Sequence, residues 1–178
     1  MRASGARLFF ALWPAPPLRA ALVAWARDHA PERARPVAAD NLHLTLAYLG
    51  QLPAAGVAAA HAVGAELSAP PVTLTLTRVE HWARPQLLCA VPDPGPDPLA
   101  ALAAGLRAAL VRQRLPVESR PFRSHVTLVR KVARPHGDAH LAPALTWHGD
   151  RLALVASESP PGGVRYRELA GWPLRTEA

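Results

Sequence analysis

Two short stretches carry the residue types that move protons. Residues 41–49, NLHLTLAYL, hold His43 and Thr45, and residues 123–131, RSHVTLVRK, hold His125 and Thr127. An imidazole titrates at about 6.5, so near neutral pH one of two can stay unprotonated and accept a proton while its twin carries one to give. Each such transfer typically contributes on the order of 100- to 10,000-fold. A hydroxyl two residues beyond each histidine can donate a hydrogen bond to a non-bridging oxygen of a phosphate held between them. The combination favours phosphodiester cleavage over acyl transfer.

Both His-x-Thr-Leu segments sit in apolar, β-branched-rich runs closed by turn or charged residues, which predicts half-buried strands. Side chains on a strand alternate faces, so His43 and Thr45 point one way with Leu44 and Leu46 behind, and His125 and Thr127 share a face with Val126 and Leu128 behind. The segments preceding them repeat as well. Residues 7–13 read as a strand, and Pro17 opens a helix whose Leu18, Leu22 and Trp25 form an apolar stripe to about His29. A loop over 31–40 leads to the first His-x-Thr strand. An alanine-rich helix over 54–68 and an alternating strand over 72–82 come next.

The second half restarts with a strand over 86–91. Asp97 is placed as N-cap, and Leu99, Leu102, Leu106 and Leu110 keep helical spacing to about Arg114. A loop over 116–123 then reaches the second His-x-Thr strand. Residues 135–143 read as a loop, 145–157 and 164–169 as strands joined by Pro160-Pro161-Gly162-Gly163, and Trp172-Pro173-Leu174 as an apolar tether. Strand, helix, loop, His-x-Thr strand thus occurs twice, an internal duplication. The expected fold class is α+β: one domain over 1–178 built as two pseudo-symmetric lobes, approximately 1–84 and 85–178. Each lobe has an antiparallel sheet flanked by helices, and the active site lies in the central cleft.

At 178 residues the chain can bury one substantial core or two small lobes sharing one. A single cysteine, Cys89, excludes an intrachain disulfide framework and a cysteine-based zinc site, in keeping with a reducing, cytoplasmic location. The apolar run at 8–13 ends at Pro14, and Arg19 and Arg27 interrupt the next segment, so neither an export signal nor a membrane span is expected. The formal charge is +7, and Lys131 is the one lysine among twenty basic residues. Arg112, Arg114, Arg120, Arg123, Arg130, Lys131 and Arg134 surround the second His-x-Thr, with Glu118 the only acid between Arg112 and Arg134. A field of that sign concentrates polyanions, nucleic acid above all; the alternative is a solvated basic face. There is no Gly-rich phosphate loop, Gly-x-Ser-x-Gly elbow, HExxH motif or carboxylate cluster of the two-metal kind, so phosphate chemistry here would fall to the histidines without metal or cofactor.

Residues 41–50, NLHLTLAYLG, together with 121–130, PFRSHVTLVR, closely resemble the two-histidine phosphoesterase superfamily. Within it the likeness is to the bacterial and archaeal RNA 2′,3′-cyclic phosphodiesterases, also called 2′-5′ RNA ligases. RLFFALWPAP at the start, HWARPQLLCAV in the middle and GGVRYRELAGWPL near the end resemble that family in the same order. The resemblance implies hydrolysis of a terminal 2′,3′-cyclic phosphate to a 2′-phosphate, with His43 and His125 as acid and base and Thr45 and Thr127 holding the phosphate oxygens. Which histidine plays which part stays open; the working assignment has His125 activate the water and His43 protonate O3′. The family also places an arginine five residues after the second histidine, which is Arg130. Strand alternation puts Arg130 on the opposite face from His125, so a phosphate-supporting role requires the strand to end, bulge or twist. Tyr48 is its counterpart in the first copy, a base-stacking aromatic by resemblance and equally a core residue by pattern. Cys89 stands where many relatives are expected to carry a large aromatic.

The implied partners are RNA or nucleotides with cyclic-phosphate ends. Ligation of RNA halves through a 2′-5′ linkage, and a module that grips RNA ends without cutting, are the competing functions. A monomer is expected, because the duplication supplies both half-sites. His136, Asp138 and His140 in one loop read as solvated surface and not as a metal site. Trp25, Trp82 and Trp147 read as packing residues.

Overall fold

The computed structural model describes residues 6–134, 137–161 and 163–175. In chain order its elements are β1 (Ala6–Leu12), α1 (Pro16–His29), β2 (Arg35–Pro36), β3 (Leu44–Leu52), α2 (Ala54–Glu66), β4 (Val72–Trp82), β5 (Leu87–Pro92), α3 (Ala100–Arg112), β6 (Val126–Arg130), β7 (Ala139–Gly149), β8 (Arg151–Glu158) and β9 (Arg165–Pro173). The strands form one antiparallel sheet ordered β7-β4-β5-β6-β3-β1-β8-β9, with β2 added to the edge of β6. The fold is α+β, as expected.

The sheet is two quasi-equivalent halves. β6 and β3 are their inner strands and touch through a single ladder pair, Leu44 with Val126. Outward from β3 run β1, β8 and β9, and outward from β6 run β5, β4 and β7. These halves do not coincide with the expected halves of the chain. β4 crosses to pair with β5 and β7, while β8 and β9 return to pair with β1 and each other. The reason is edge protection: a three-element repeat leaves its outer strand unpaired, and a strand from the other half covers it.

One face of the sheet carries the helices. Proline at the first turn starts α1, and Leu18, Leu22 and Ala26 at four-residue spacing bury its inner face. α1 packs on β6 and β7, α3 on β3, and α2 against α3 and β8. Leu8, Phe10 and Leu12 of β1, Leu44 and Leu46 of β3, and Val126 and Leu128 of β6 supply the sheet side of this core. The opposite face has two small apolar clusters, Phe9, Ala11, Ala153 and Val155 on one half and Leu87, Cys89 and Val91 on the other.

Three local expectations are corrected. The strand expected over 145–157 is two strands, β7 and β8, turning at Asp150, and β7 begins inside the expected loop at 135–143. Pro143 hid it, yet β7 is the sheet edge, where a missing N–H breaks no ladder bond. Asp97 is not the N-cap of α3, which starts at Ala100 after Leu99. The apolar tether at 172–174 is largely the end of β9. Among the described residues no helix is long and apolar enough to cross a membrane.

Candidate active site

The cleft lies on the face away from the helices, where β3 and β6 meet. Leu44 and Val126, the residues between His and Thr in each copy, are fully buried on the helix side, and this turns Thr45 and Thr127 to the cleft. Both histidines are fixed in the same way. His43 Nδ1 lies 2.7 Å from the carbonyl of Asn41, and His125 Nδ1 lies 2.9 Å from that of Arg123, each two residues upstream. A neutral ring that donates from Nδ1 leaves Nε2 as its free base. In His43 that nitrogen is 3.0 Å from Thr45 Oγ1, whose hydroxyl is then the donor.

Both inner strands are bulged one residue after the threonine. Along β1, Ala11 faces Thr45 but Phe10 faces Ala47, so Leu46 is extra; along β5, Cys89 faces Thr127 but Leu88 faces Val129, so Leu128 is extra. Leu128 and Val129 are consequently both buried, and the alternation resumes shifted by one. The shift brings Arg130 to the face of His125 and Thr127, and Tyr48, opposite Phe9, to the face of His43 and Thr45. Arg130 is near enough for its charge to act on His43 and Cys89. Tyr48 is exposed at 41 % and so is not a core residue.

Burial dominates the electrostatics. It pushes His43 down to about 4, against the raising effect of the Asn41 carbonyl, and the charges of Arg130 and His125 push the same way. The two rings are therefore within reach of each other's charge. Burial likewise lowers His125; the Arg123 carbonyl and Glu118 oppose this, while the charges of Arg123 and Arg120 add to it. Burial thus favours the neutral form of both imidazoles in the free protein. Burial also pushes the Cys89 thiol up to about 12, so with Sγ 3.9 Å from Thr127 Oγ1 it is an inert packing group.

Each histidine also leans on a tryptophan held by a glutamate, a pairing that sequence reasoning missed. Trp82, expected to be a packing residue only, lies 4.6 Å from the His125 ring. Its Nε1 donates to Glu80, which also takes two bonds from Arg123 and one from Arg78. Trp13 lies 5.8 Å from the His43 ring and donates to Glu168, which pairs with Arg151. Phe9 at 4.8 Å and Tyr166 at 5.0 Å complete the His43 wall. Neither tryptophan carries a signal in its own segment; the pairing of β1 with β3, and of β4 with β5 and β5 with β6, brings them to the histidines.

Two loop residues hold the constellation. Asn41 donates to the carbonyl of Val164 and accepts from Tyr166 N–H, clipping the hairpin of β8 and β9 beside His43. Asp97 accepts from the backbone N–H and hydroxyl of fully buried Ser124, at 2.8 and 2.6 Å, and from Leu99 N–H. It thereby anchors the residue before His125 to the start of α3. A groove of about 830 Å³ leads from Thr45, Trp82 and His125 past Phe122 to Arg107 on α3. Among the described residues no cluster of three or more histidine, cysteine or acidic side chains could hold a metal; His136 lies outside them.

A sheet of two quasi-equivalent halves, each giving the same cleft one histidine and one threonine, is the architecture of the two-histidine phosphoesterases. The chain belongs to the 2′-5′ RNA ligase superfamily, whose family model matches residues 14–161. It is 35 % identical over 173 residues to the RNA 2′,3′-cyclic phosphodiesterase of Escherichia coli K12, covering 94 % of this chain and 96 % of that one. It is 31 % identical to the protein of the same name from Thermus thermophilus, covering 96 % and 91 %. The crystal structure of Escherichia coli LigT complexed with 3′-AMP superposes with a TM-score of 0.87 at 33 % identity, covering 96 % and 98 % of the two chains.

Proposed function

We propose that this chain hydrolyses the 2′,3′-cyclic phosphate at the end of an RNA to a 2′-phosphate, with His43 and His125 as the acid and base pair. The observation that carries the reading is the duplicated device: two imidazoles with the same backbone tether, each with a threonine on its face, electrostatically coupled across one cleft. Water attacks phosphorus, and its proton passes to His125 Nε2. The P–O3′ bond breaks, and His43 Nε2 delivers a proton to O3′. Thr45 and Thr127 donate to the non-bridging oxygens, and the Arg130 charge offsets the charge gathering there.

The bound phosphate has a second effect. Its negative charge replaces water beside two rings that burial keeps neutral, so it raises both and lets His43 take up the proton it must give. Tyr48 offers an exposed ring on the same face, where the terminal base stacks. Two imidazoles suffice for both proton transfers, so no metal step is needed. Ligation uses the same groups with a ribose hydroxyl in place of water. Both half-sites come from one chain, so a monomer is complete, and the single buried thiol suits the cytoplasm.

The experiment is to incubate the protein with cyclic-phosphate-ended RNA in EDTA and separate the products. The reading expects 2′-phosphate alone, and His43→Ala or His125→Ala should each cost on the order of 100- to 10,000-fold. A substrate with sulfur at the 3′ bridging position needs no acid. It should rescue His43→Ala and leave His125→Ala inactive, and the opposite pattern reverses the roles. Full activity in either alanine variant ends the proposal, and tight binding without turnover leaves an RNA-end-binding module.

A further inference from the structure

β3 leaves β6 after one ladder pair, and the edge it vacates is taken by the two-residue strand β2, with Arg35 paired to Arg130 and Pro36 to Val129. Residues directly opposite in an antiparallel pair project from the same face, with Cβ atoms about 5 Å apart. Arg130 faces the cleft, since it pairs with Leu87, which clusters with Cys89 on that face, and Arg35 is therefore beside it there. Both are exposed. Like charges set directly opposite destabilise a sheet unless something neutralises them. Among the described residues neither Arg35 nor Arg130 has a carboxylate partner to neutralise it.

Two cations thus share one rim of a cleft whose reacting group carries a single negative charge. With Leu128 bulged out, Arg130 stands about two strand steps, roughly 7 Å, beyond Thr127. Arg35 lies on the edge strand beside it, away from β5. With Arg130 turned to the reacting phosphate, a nucleoside cyclic phosphate has nothing to place at Arg35. An RNA strand has its next phosphodiester, on the 5′ side of the terminal ribose.

We infer that Arg35, set opposite Arg130, forms a second anion subsite that takes the phosphodiester 5′ of the terminal nucleotide and selects an RNA strand over a free nucleoside cyclic phosphate. The inference rests on the hydrolysis proposed above and names its substrate class. The loop between α1 and β3 then has a function in its two-residue strand: it delivers the cation that reads the penultimate linkage.

The test compares kcat/KM for a dinucleotide ending in 2′,3′-cyclic phosphate with that for the matching nucleoside 2′,3′-cyclic phosphate. The native protein should prefer the dinucleotide, and Arg35→Ala should shrink that preference about tenfold, the size of one charge-assisted hydrogen bond. The salt dependence of the dinucleotide rate should fall by about 0.7 in log–log slope, one phosphate contact on a single strand. A dinucleotide whose bridging phosphate is a neutral methylphosphonate should lose the preference with the native protein, a measurement that needs no variant. An unchanged preference with Arg35→Ala or with the methylphosphonate overturns the inference, as does an equal fall on both substrates. Equilibrium binding of the 2′-phosphate-ended dinucleotide against the nucleoside 2′-phosphate gives the same ratio without turnover. A protein that hydrolyses neither substrate therefore sinks the proposed reaction while binding still decides the subsite.

Discussion

The pH dependence of kcat/KM is the most direct test of the paired imidazoles, because it reports ionisations of the free protein. The reaction needs one proton, and only one, on the pair. Coming down from high pH, the first proton enters on His125, whose burial holds it below 6.5, and the second enters on His43 at about 4. The profile should therefore be a bell whose acid limb bends near 4 and whose alkaline limb bends below 6.5. Beyond the alkaline bend the rate falls one decade per pH unit, so kcat/KM at pH 8 should lie at least about 30-fold under its maximum. Exchanging the roles of the histidines leaves this profile unchanged, since both arrangements hold the same number of protons. In kcat both limbs should move to higher pH, because the bound anion favours imidazolium. The assay is steady-state hydrolysis of a cyclic-phosphate dinucleotide at constant ionic strength across that range. A kcat/KM still rising at pH 7.5, or flat from pH 4 to 8, refutes the burial argument.

Thr45→Val and Thr127→Val each remove one donor to the phosphate and should lower kcat about 100- to 1,000-fold with little change in melting temperature. The unfolded chain protonates His43 at about 6.5 and the folded one at about 4, so the stability this neutral ring contributes is complete above 6.5 and drains away as pH falls. Chemical denaturation at pH 7 and pH 4 should accordingly show His43→Gln losing about 3 kcal/mol less than the native protein over that interval. Glu80 is held below the usual carboxylate range: burial pushes it up, but the Trp82 hydrogen bond and the charges of Arg123 and Arg78 outweigh that. Glu80→Ala leaves Arg78 only the more distant Asp93 carboxylate and the Pro92 carbonyl, and should cost about 2 kcal/mol and slow turnover by freeing Trp82 beside His125. A melting curve and kcat unchanged from the native protein would remove Glu80 from the site.

The His-x-Thr strands, their facing and the three helices were legible in the sequence because each is a local period in hydrophobicity with clear stops. The position of Arg130 was legible only as a conflict: alternation put it on the wrong face, and the bulge at Leu128 that resolves the conflict is visible only in the register of β6 against β5. Tertiary pairing likewise decided where β4, β8 and β9 went, since an edge can be covered from either half of the chain. The walls around the histidines come from Trp13, Tyr166, Trp82 and Glu80, each unremarkable in its own segment. Only strand order places them together.

The interleaving of the sheet has a consequence for how the molecule is made. Arg7 pairs with Ser157, and Ala11 with Ala153, so the half that carries His43 cannot close until β8 has followed β1 out of the ribosome. Until then β1 has a bare edge rich in phenylalanine and leucine. The nascent protein is thus exposed to aggregation and to chaperones throughout the interval that separates β1 from β8.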